Sequence, residues 1–438
     1  MAMQNEIDVK SGAAAVPMQI DTFPTLAEVG FNGGHGGLVA FAERMFSQPE
    51  PRFLRSDDGD LVVFRSADLQ AMAAIPEVGN VPPSVMFGPG VADMLSDESV
   101  PGSGLARVLS NQVFFANPPI HKQIRKILVS HFGPKQVAQM EPIARSVIGR
   151  IFDGLKAGEV VDFVADVADQ ITLRFWGDLL GMQEPEITEL EGHVRGLTNM
   201  FYLEMKPGDF QHLDASSAGY LRVIKDAVAR TLEAGTHPIV NEMARELAAV
   251  DLPDDLDHAG VVPRDLGHML AGNLVDGYHT AALGAANALH VLAARPAVLE
   301  ELHQNPEKIM GAIFEALRLE PPVIFLKRWI KDPVTYDGFL IPGGTSVIMM
   351  WGAGGFDPAA FPDPFSFDLE RSRRGSTVFG GGIHICPGRF VAPMLTKILI
   401  ETIIERGIMF AAPAEDAPFY PTHIMSQLQR LPLQIMLR

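Results

Sequence analysis

A long apolar segment, LGHMLAGNLVDGYHTAALGAANALHVLAA at residues 266–294, limits the architecture more than any other feature of this chain. Asp276 is its only formally charged residue. A helix that is apolar on all sides is typical of the interior of a large protein. The segment therefore predicts a buried helix that other elements must enclose.

The rest of the chain predicts a mainly α-helical protein with a small β region. Apolar residues from about 142 to 312 mostly follow helical spacing. Strand-like pieces are short and lie toward the ends, near Leu61, from Pro333 and from Leu431. The middle piece carries Asp-Gly and Gly-Gly turn signals, which are typical of hairpins. The run FDPAAFPDPFSFDLERSRRGST shows little periodicity and predicts an ordered but irregular loop.

Charge and composition exclude several classes of function. The chain has 53 acidic and 35 basic residues, a formal charge of −18, which repels phosphate backbones and anionic lipid surfaces. The first residues show no secretory signal, and no uninterrupted apolar run is long enough to span a membrane. We therefore expect a soluble, cytoplasmic protein that binds neither nucleic acid nor a membrane.

The only cysteine, Cys386, lies in the glycine-rich stretch FGGGIHICPGRF, directly after the irregular loop. One cysteine excludes an intramolecular disulfide and zinc sites built from several thiolates. From composition alone, Cys386 is a buried structural thiol, a nucleophile or a lone thiolate ligand of a metal.

The spacing around Cys386 resembles the haem-binding loop of the cytochrome P-450 superfamily, in its soluble bacterial form. Phe379, Gly382, His384, Cys386 and Gly388 match the pattern Phe-x-x-Gly-x-His-x-Cys-x-Gly. The resemblance implies that Cys386 ligates haem iron, that Phe379 shields the sulfur, and that both glycines permit close approach of the backbone. The alternative is an inert cysteine in a glycine-rich turn.

A second match lies upstream, in FEALRLEPP, where Glu315 and Arg318 are three residues apart on one helical face. Alone, such a pair is usually a solvated helix surface. In the family that this chain resembles, a Glu-x-x-Arg pair is completed by an arginine of the irregular loop, and Arg371 occupies that place. The resemblance implies a buried ion triad that holds the cysteine loop.

A third match concerns cationic side chains. In NPPIHKQIRKILVSHF, His121 and Arg125 are four residues apart, so they share a helical face. Arg328 and His384 stand at the other positions where the family contacts the haem propionates. The resemblance implies that these four residues bind the two carboxylates. Each one, taken alone, is more typical of a surface cation.

The buried helix carries the residues that the family places on the oxygen-binding side. Thr280 and Gly277 fit the family pattern, and the resemblance implies proton delivery by Thr280. His279 replaces the usual acid, while Asp276 stands where a small residue is usual. His279 either relays protons or bonds a neighbouring helix. Asp276, four residues before Thr280, either joins the relay with a raised pKa, binds a polar group of the substrate or pairs structurally.

The resemblance implies one cytochrome P-450 domain over residues 1–438, with residues 1–25 loosely ordered. It implies a monomeric monooxygenase with haem b that takes electrons from a separate ferredoxin and ferredoxin reductase. Lys122, Lys126 and Arg389 are candidates for the docking patch. A peroxide-dependent enzyme and a non-catalytic haem-thiolate sensor remain alternatives.

The resemblance also implies an apolar substrate pocket, and hence a hydrophobic small molecule such as a terpenoid, steroid, aromatic compound or fatty acid. Its expected lining is Val323, Ile324, Phe325, Met425, residues 81–115 and the segment GLTNMFYLEM from Gly196.

Overall fold

The computed structural model describes residues 15–197, 200, 206, 208–250, 260–411, 417–420, 422 and 424–437. The α-helices are α1 (Gly34–Met45), α2 (Ser66–Ala73), α3 (Pro83–Phe87), α4 (Val91–Ser96), α5 (Ser103–Ser110), α6 (Ile120–Phe132), α7 (Pro134–Asp153), α8 (Asp169–Leu180), α9 (Glu184–Leu197), α10 (Asp209–Ala234), α11 (Pro238–Ala248), α12 (Leu266–Ala293), α13 (Pro296–Gln304), α14 (Ile309–Leu319), α15 (Trp351–Gly354) and α16 (Val391–Glu405). The strands are β1 (Val16–Pro17), β2 (Leu54–Arg55), β3 (Leu61–Val63), β4 (Val78–Gly79), β5 (Val160–Asp162), β6 (Leu326–Ile330), β7 (Val334–Tyr336), β8 (Phe339–Ile341), β9 (Thr345–Met349), β10 (Ile408–Ala411) and β11 (Pro432–Leu437).

Helix α12 is the centre of the helical part, as the apolar segment predicts. It packs against α5, α8, α10, α14 and α16. The Asp265 side chain caps its start by accepting a hydrogen bond from the backbone N–H of His268 at 2.9 Å. The helix is enclosed because its apolar surface extends round its whole circumference, so every side needs a packing partner.

The strands form small sheets beside the helices. The largest has the order β2-β3-β9-β6-β4, and two three-stranded sheets have the orders β1-β8-β7 and β10-β11-β5. The predicted hairpin is present: Asp337 and Gly338 both have positive φ, 46° and 80°, as a two-residue turn between β7 and β8 requires. The predicted mainly helical fold with a small β region is confirmed.

The N-terminal prediction needs a correction. Residues 1–14 lie outside the described part of the chain, but the next residues are not loosely ordered. Val16 and Pro17 pair in parallel with Phe339 and Leu340. Two residues are too few to show alternation, so the sequence gives no strand signal there.

The length and apolarity of the helices in the described residues bear on whether the chain could cross a membrane. Among them, no single helix is long and apolar enough to cross a membrane. Helices α12 and α13 reach that length and apolarity only as a pair, across a 102° bend.

Candidate active site

A cavity of about 580 Å³ lies between α12 and the cysteine loop. Cys386, His121, Arg125, Arg328 and His384 all line it. Away from these residues the lining is largely apolar. The cavity therefore has a charged end and an apolar end, and the only thiol of the chain, that of Cys386, lies at its wall.

The loop around Cys386 is held by its own backbone. The Cys386 N–H donates to the Phe379 carbonyl at 2.9 Å. Burial raises the pKa of the Cys386 thiol to about 11, although a hydrogen bond from the Gly388 N–H acts in the opposite direction. The thiol stays protonated near neutral pH unless a positive centre lies against it, and a metal cation supplies such a centre.

The two predicted glycines differ in what they do. Gly382 has φ of 62°, and a Cβ there would lie 1.8 Å from the Ala73 carbonyl oxygen, so no other residue fits. At Gly388 a Cβ would lie 3.7 Å from the Cys386 Sγ, an ordinary contact. A side chain would therefore fit at Gly388, contrary to the prediction. The contribution of Gly388 is the hydrogen bond from its N–H to the Cys386 sulfur.

Phe379 lines the same cavity and packs edge-on against Phe314, with ring centroids 5.9 Å apart. Trp351, the first residue of α15, also lines the cavity and packs against Gly380 and Gly381. Sequence reasoning missed Trp351, since a lone tryptophan after a strand is usually core. Its Nε1 is buried without a hydrogen-bond partner in the described residues.

The four predicted cationic side chains meet at one end of the cavity. Burial, with Arg125 and Arg328 nearby, lowers the pKa of His121 to about 4. Burial, with the same two arginines and His121, lowers the pKa of His384 to about 2. Burial likewise lowers the pKa of Arg328 to about 10. Both imidazoles are therefore neutral at physiological pH, while the arginines keep their charge.

The imidazole hydrogen bonds fix which atom is free to donate. His384 Nδ1 lies 3.0 Å from His121 Nε2 and accepts a hydrogen bond from the Asn80 amide at 3.1 Å. Neutral His384 therefore carries its hydrogen on Nε2, which has no partner in the described residues. Asn80 was not predicted, and no sequence signal distinguishes it.

This end of the cavity fits a haem. Arg125 and Arg328 form no ion pair in the described residues; they hydrogen-bond only the carbonyls of Ile385 and Lys327. Buried guanidinium groups need an anion, and carboxylates match their geometry. Haem carries two carboxylates, which would pair with the two arginines and accept a hydrogen bond from His384 Nε2. Its iron would bind the Cys386 sulfur.

The predicted ion triad lies behind the cysteine loop. Arg318 donates to both carboxylate oxygens of Glu315 at 2.8 Å, and Arg371 donates to one at 2.9 Å. Burial by itself raises the pKa of Glu315, but Arg318 and Arg371 outweigh it and hold that pKa below its ordinary value. Arg318 also donates to the carbonyls of Gly355, Pro364 and Ser366. The triad thus fastens the irregular loop to α14.

On α12, Asp276, Gly277 and Thr280 line the cavity, as the sequence predicts. The Thr280 hydroxyl donates to the Asp276 carbonyl at 2.6 Å, which leaves its oxygen free to accept. Burial raises the pKa of the Asp276 carboxyl to about 7, the direction expected for a carboxyl in an apolar helix.

His279 is not brought together with the other predicted residues. It does not line the cavity and hydrogen-bonds Gln427 of the C-terminal segment. Burial lowers its pKa to about 4. A neutral-pH relay through His279 therefore loses its basis, because the imidazole neither faces the cavity nor titrates near neutral pH.

The predicted substrate lining is half right. Val323 and Met425 line the cavity, whereas Ile324 and Phe325 are buried in the core behind it. The chain bends at Ile324, which interrupts the alternation of side chains, so Leu326 takes the next place in the cavity wall.

The two variable regions contribute unequally to what is described. Residues 81–115 supply much of the apolar wall, including Phe87, Leu105 and Phe114. Of the segment from Gly196, residues 198–199 and 201–205 lie outside the described residues, and Met200 lines the cavity.

Comparisons with known proteins agree with this geometry. A family model described as Cytochrome P450 matches residues 98–433. Cytochrome P450 monooxygenase PikC of Streptomyces venezuelae is 25% identical and covers 80% of this chain and 82% of its own length. C-19 steroid 1alpha-hydroxylase of Sorangium cellulosum is 26% identical and covers 68% of this chain and 75% of its own. The crystal structure of epothilone D-bound cytochrome P450epoK is 19% identical, with a TM-score of 0.75 over 91% of this chain and 96% of that one, a likeness of fold.

Proposed function

The chain belongs to the cytochrome P450 family of monooxygenases, and from this membership we propose that it hydroxylates a hydrophobic small molecule with haem b ligated by Cys386. The observation that carries the proposal is the cavity, which has apolar residues at one end and, at the other, Cys386, two arginines with no ion pair and a His384 Nε2 with no hydrogen bond among the described residues. One relative is named as a steroid hydroxylase, and a steroid is a hydrophobic molecule of the kind that the apolar part of this cavity would bind.

The residues divide the work in the following way. The Cys386 sulfur would hold the metal, and the Gly388 N–H would keep negative charge on the sulfur. Arg125, Arg328 and His384 would orient the porphyrin carboxylates, and His121, predicted to bind them as well, would hold His384 in place through its Nε2. When bound, the haem supplies activation of dioxygen and insertion of one oxygen atom into a C–H bond.

Thr280 is the residue that we place in proton delivery. Its hydroxyl hydrogen is donated to the Asp276 carbonyl, so its oxygen is free to accept a hydrogen bond from a water in the cavity. A water held at that oxygen is positioned to donate a proton toward the iron-facing side of the cavity. The apolar lining excludes other water, which keeps protons from arriving by uncontrolled routes.

Electrons come from separate proteins, a ferredoxin and its reductase. Lys122 and Lys126 are exposed on α6, and Arg389 lies beside the cysteine loop with its carbonyl-bound guanidinium over Phe390. Cations on this side would steer an acidic redox protein toward the haem edge. We propose one cytoplasmic, monomeric domain over residues 1–438.

Two measurements on the purified holoprotein test the proposal. The reduced carbon monoxide complex should show the band of thiolate ligation that gives the family its name, and Cys386→Ala should lose it. A normal band in the variant contradicts the assignment, because the chain contains no other cysteine. NADPH consumption and product formation with surrogate ferredoxin partners, beside a peroxide-only reaction, separates the monooxygenase from the peroxide-dependent and sensing alternatives.

A further inference from the structure

One face of α12 forms a wall of the cavity. This face carries one carboxylate, and no other described residue of the wall pairs with it. The residues of this face recur at helical spacing and are Asn273, Asp276, Gly277, Thr280, Ala281 and Gly284. The Asn273 amide is fully engaged, since it bonds the backbones of Val113, Asn111 and Met269. Asp276 is the only ionisable residue of the face.

The Asp276 carboxylate has no protein partner in the described residues. Its side chain lies inside the protein but faces the cavity, so it is accessible to a molecule bound there. No hydrogen-bond donor or cation contacts the carboxylate oxygens within the part of the chain that the structure describes, and burial is the sole cause of its raised pKa. An unpaired carboxylate in an apolar site is unfavourable, so a partner from outside the protein would relieve a real cost.

The ionisable groups around Asp276 do not supply that partner. Tyr220 of α10 donates its hydroxyl to the Ala271 carbonyl, and Tyr278 of α12 is buried. Cys386 faces the same cavity, and a negative Asp276 raises the pKa of its thiol instead of stabilising the thiolate. Arg125 and Arg328, the cations of the cavity, are assigned to the porphyrin carboxylates together with the neutral His384, and the neutral His121 bonds His384. These groups therefore do not neutralise the charge of the Asp276 carboxylate.

We infer that Asp276 is a specificity-determining residue that binds a positively charged nitrogen on an otherwise hydrophobic substrate. The inference rests on the proposed function and names the substrate class of the same site. A hydroxyl group would give the carboxylate one hydrogen bond but leave its charge, whereas a cation offsets the charge itself. The apolar wall opposite, which includes Val323, Leu326 and Met425, would hold the hydrocarbon part.

The pairing makes binding depend on pH in a defined direction. A cationic substrate binds the ionised carboxylate, and in the free protein that carboxyl has a pKa of about 7. Below this pKa, binding of the cation must displace a proton. The affinity should therefore increase by up to about tenfold for each unit of increase in pH, and it should become constant above the pKa. A neutral ligand of the same shape should show no such rise.

The test uses alkyltrimethylammonium ions of graded chain length beside the primary alcohols of the same lengths. The quaternary nitrogen is charged at every pH and has no lone pair for the haem iron. Dissociation constants are measured by calorimetry and by the spectral shift on binding, on wild type, Asp276→Asn and Asp276→Glu holoprotein. Haem content and the carbon monoxide spectrum are recorded on each preparation, so a failure of the proposed function is seen separately.

The expected result is that cations bind more tightly than alcohols to wild type and that Asp276→Asn weakens cation binding by on the order of 10- to 100-fold. In Asp276→Asn the pH dependence of cation binding should also disappear, while alcohol binding should change little. Asp276→Glu should still bind cations more tightly than alcohols. Alcohols binding as tightly as cations, or no binding by any cation, overturns the inference. So does an Asp276→Asn variant with unchanged cation affinity but slower turnover and a shifted pH–rate profile, because Asp276 then belongs to the proton relay.

Discussion

Replacing Glu315 with alanine should lower the free energy of unfolding by about 3–5 kcal/mol, the range for breaking a buried ion pair at one partner. The Glu315 carboxylate accepts two bonds from Arg318 at 2.8 Å and one from Arg371 at 2.9 Å, and the residue is 4% exposed. It also accepts the Asp368 backbone N–H at 3.0 Å. The variant leaves two guanidinium groups without their anion, and that of Arg318 is almost fully buried.

An exposed pair offers the matched control. Arg174 donates to both oxygens of Glu184 at 2.7 and 2.9 Å, but the two side chains are 30% and 64% exposed. Glu184→Ala should therefore cost only about 0–1 kcal/mol. Arg371→Ala, which leaves the Glu315–Arg318 pair in place, should cost about 1–3 kcal/mol. The three variants differ chiefly in how much buried charge each leaves unpaired.

Urea unfolding followed by circular dichroism measures these differences, and haem absorbance during the same titration reports loss of the cofactor. Equal losses in Glu315→Ala and Glu184→Ala would refute the reasoning, because burial would then not decide the cost. If Glu315→Ala does not fold, Arg371→Ala should still lose more unfolding free energy than Glu184→Ala, and this comparison tests the same reasoning.

The difference in unfolding free energy between wild type and Glu315→Ala should depend on pH, because the pKa of Glu315 is lowered in the folded state. The carboxylate is ionised in both states above its ordinary pKa of 4.5, so the stabilisation is fully present there. As the pH falls through the lower pKa of the folded state, the carboxylate gains a proton and the stabilisation is lost. The gap between wild type and Glu315→Ala should thus be constant near neutral pH and narrow on acidification.

Two further predictions concern the cysteine loop and the distal helix. Gly382→Ala should destabilise the protein by at least about 1 kcal/mol and weaken haem retention, because its Cβ would collide with the Ala73 carbonyl, whereas Gly388→Ala should retain haem; equal retention by both variants would contradict the steric argument. Thr280→Ala should keep haem content and unfolding unchanged but divert electrons from NADPH into hydrogen peroxide, while Thr280→Ser, which keeps the hydroxyl, should preserve coupling to product. Unaltered coupling in Thr280→Ala would place proton delivery elsewhere.

Sequence patterns carried most of the fold because they record periodic burial. The apolar segment at residues 266–294 predicts α12 almost to the residue, since nothing but a fully enclosed helix tolerates it. The turn at Asp337 and Gly338 was equally readable, because few residues accept positive φ in a two-residue hairpin. Strand β1 was not, because its two residues form only through pairing with a distant hairpin.

The candidate site shows the same division. Spacing brought out Cys386 and the residues that share a helical face with a partner, such as His121 and Arg125. Spacing places His279 about 100° round the helix from Thr280, but it could not show that the C-terminal segment supplies Gln427 as the partner of the imidazole. Asn80 and Trp351 reach the cavity only through tertiary packing, so no local pattern marks them.

The bend at Ile324 has a consequence for how this protein could acquire a new substrate. Between α14 and β6, the order of side chains decides whether Val323 and Leu326, or Ile324 and Phe325, face the cavity. Inserting or deleting one residue before Leu326 would change which of Val323, Ile324 and Phe325 faces the cavity, while the ladder between β6 and β9 holds Leu326 and the rest of its strand in place. A change in chain length at this point would therefore reshape the pocket in one genetic step, without altering the identity of any residue that binds the haem.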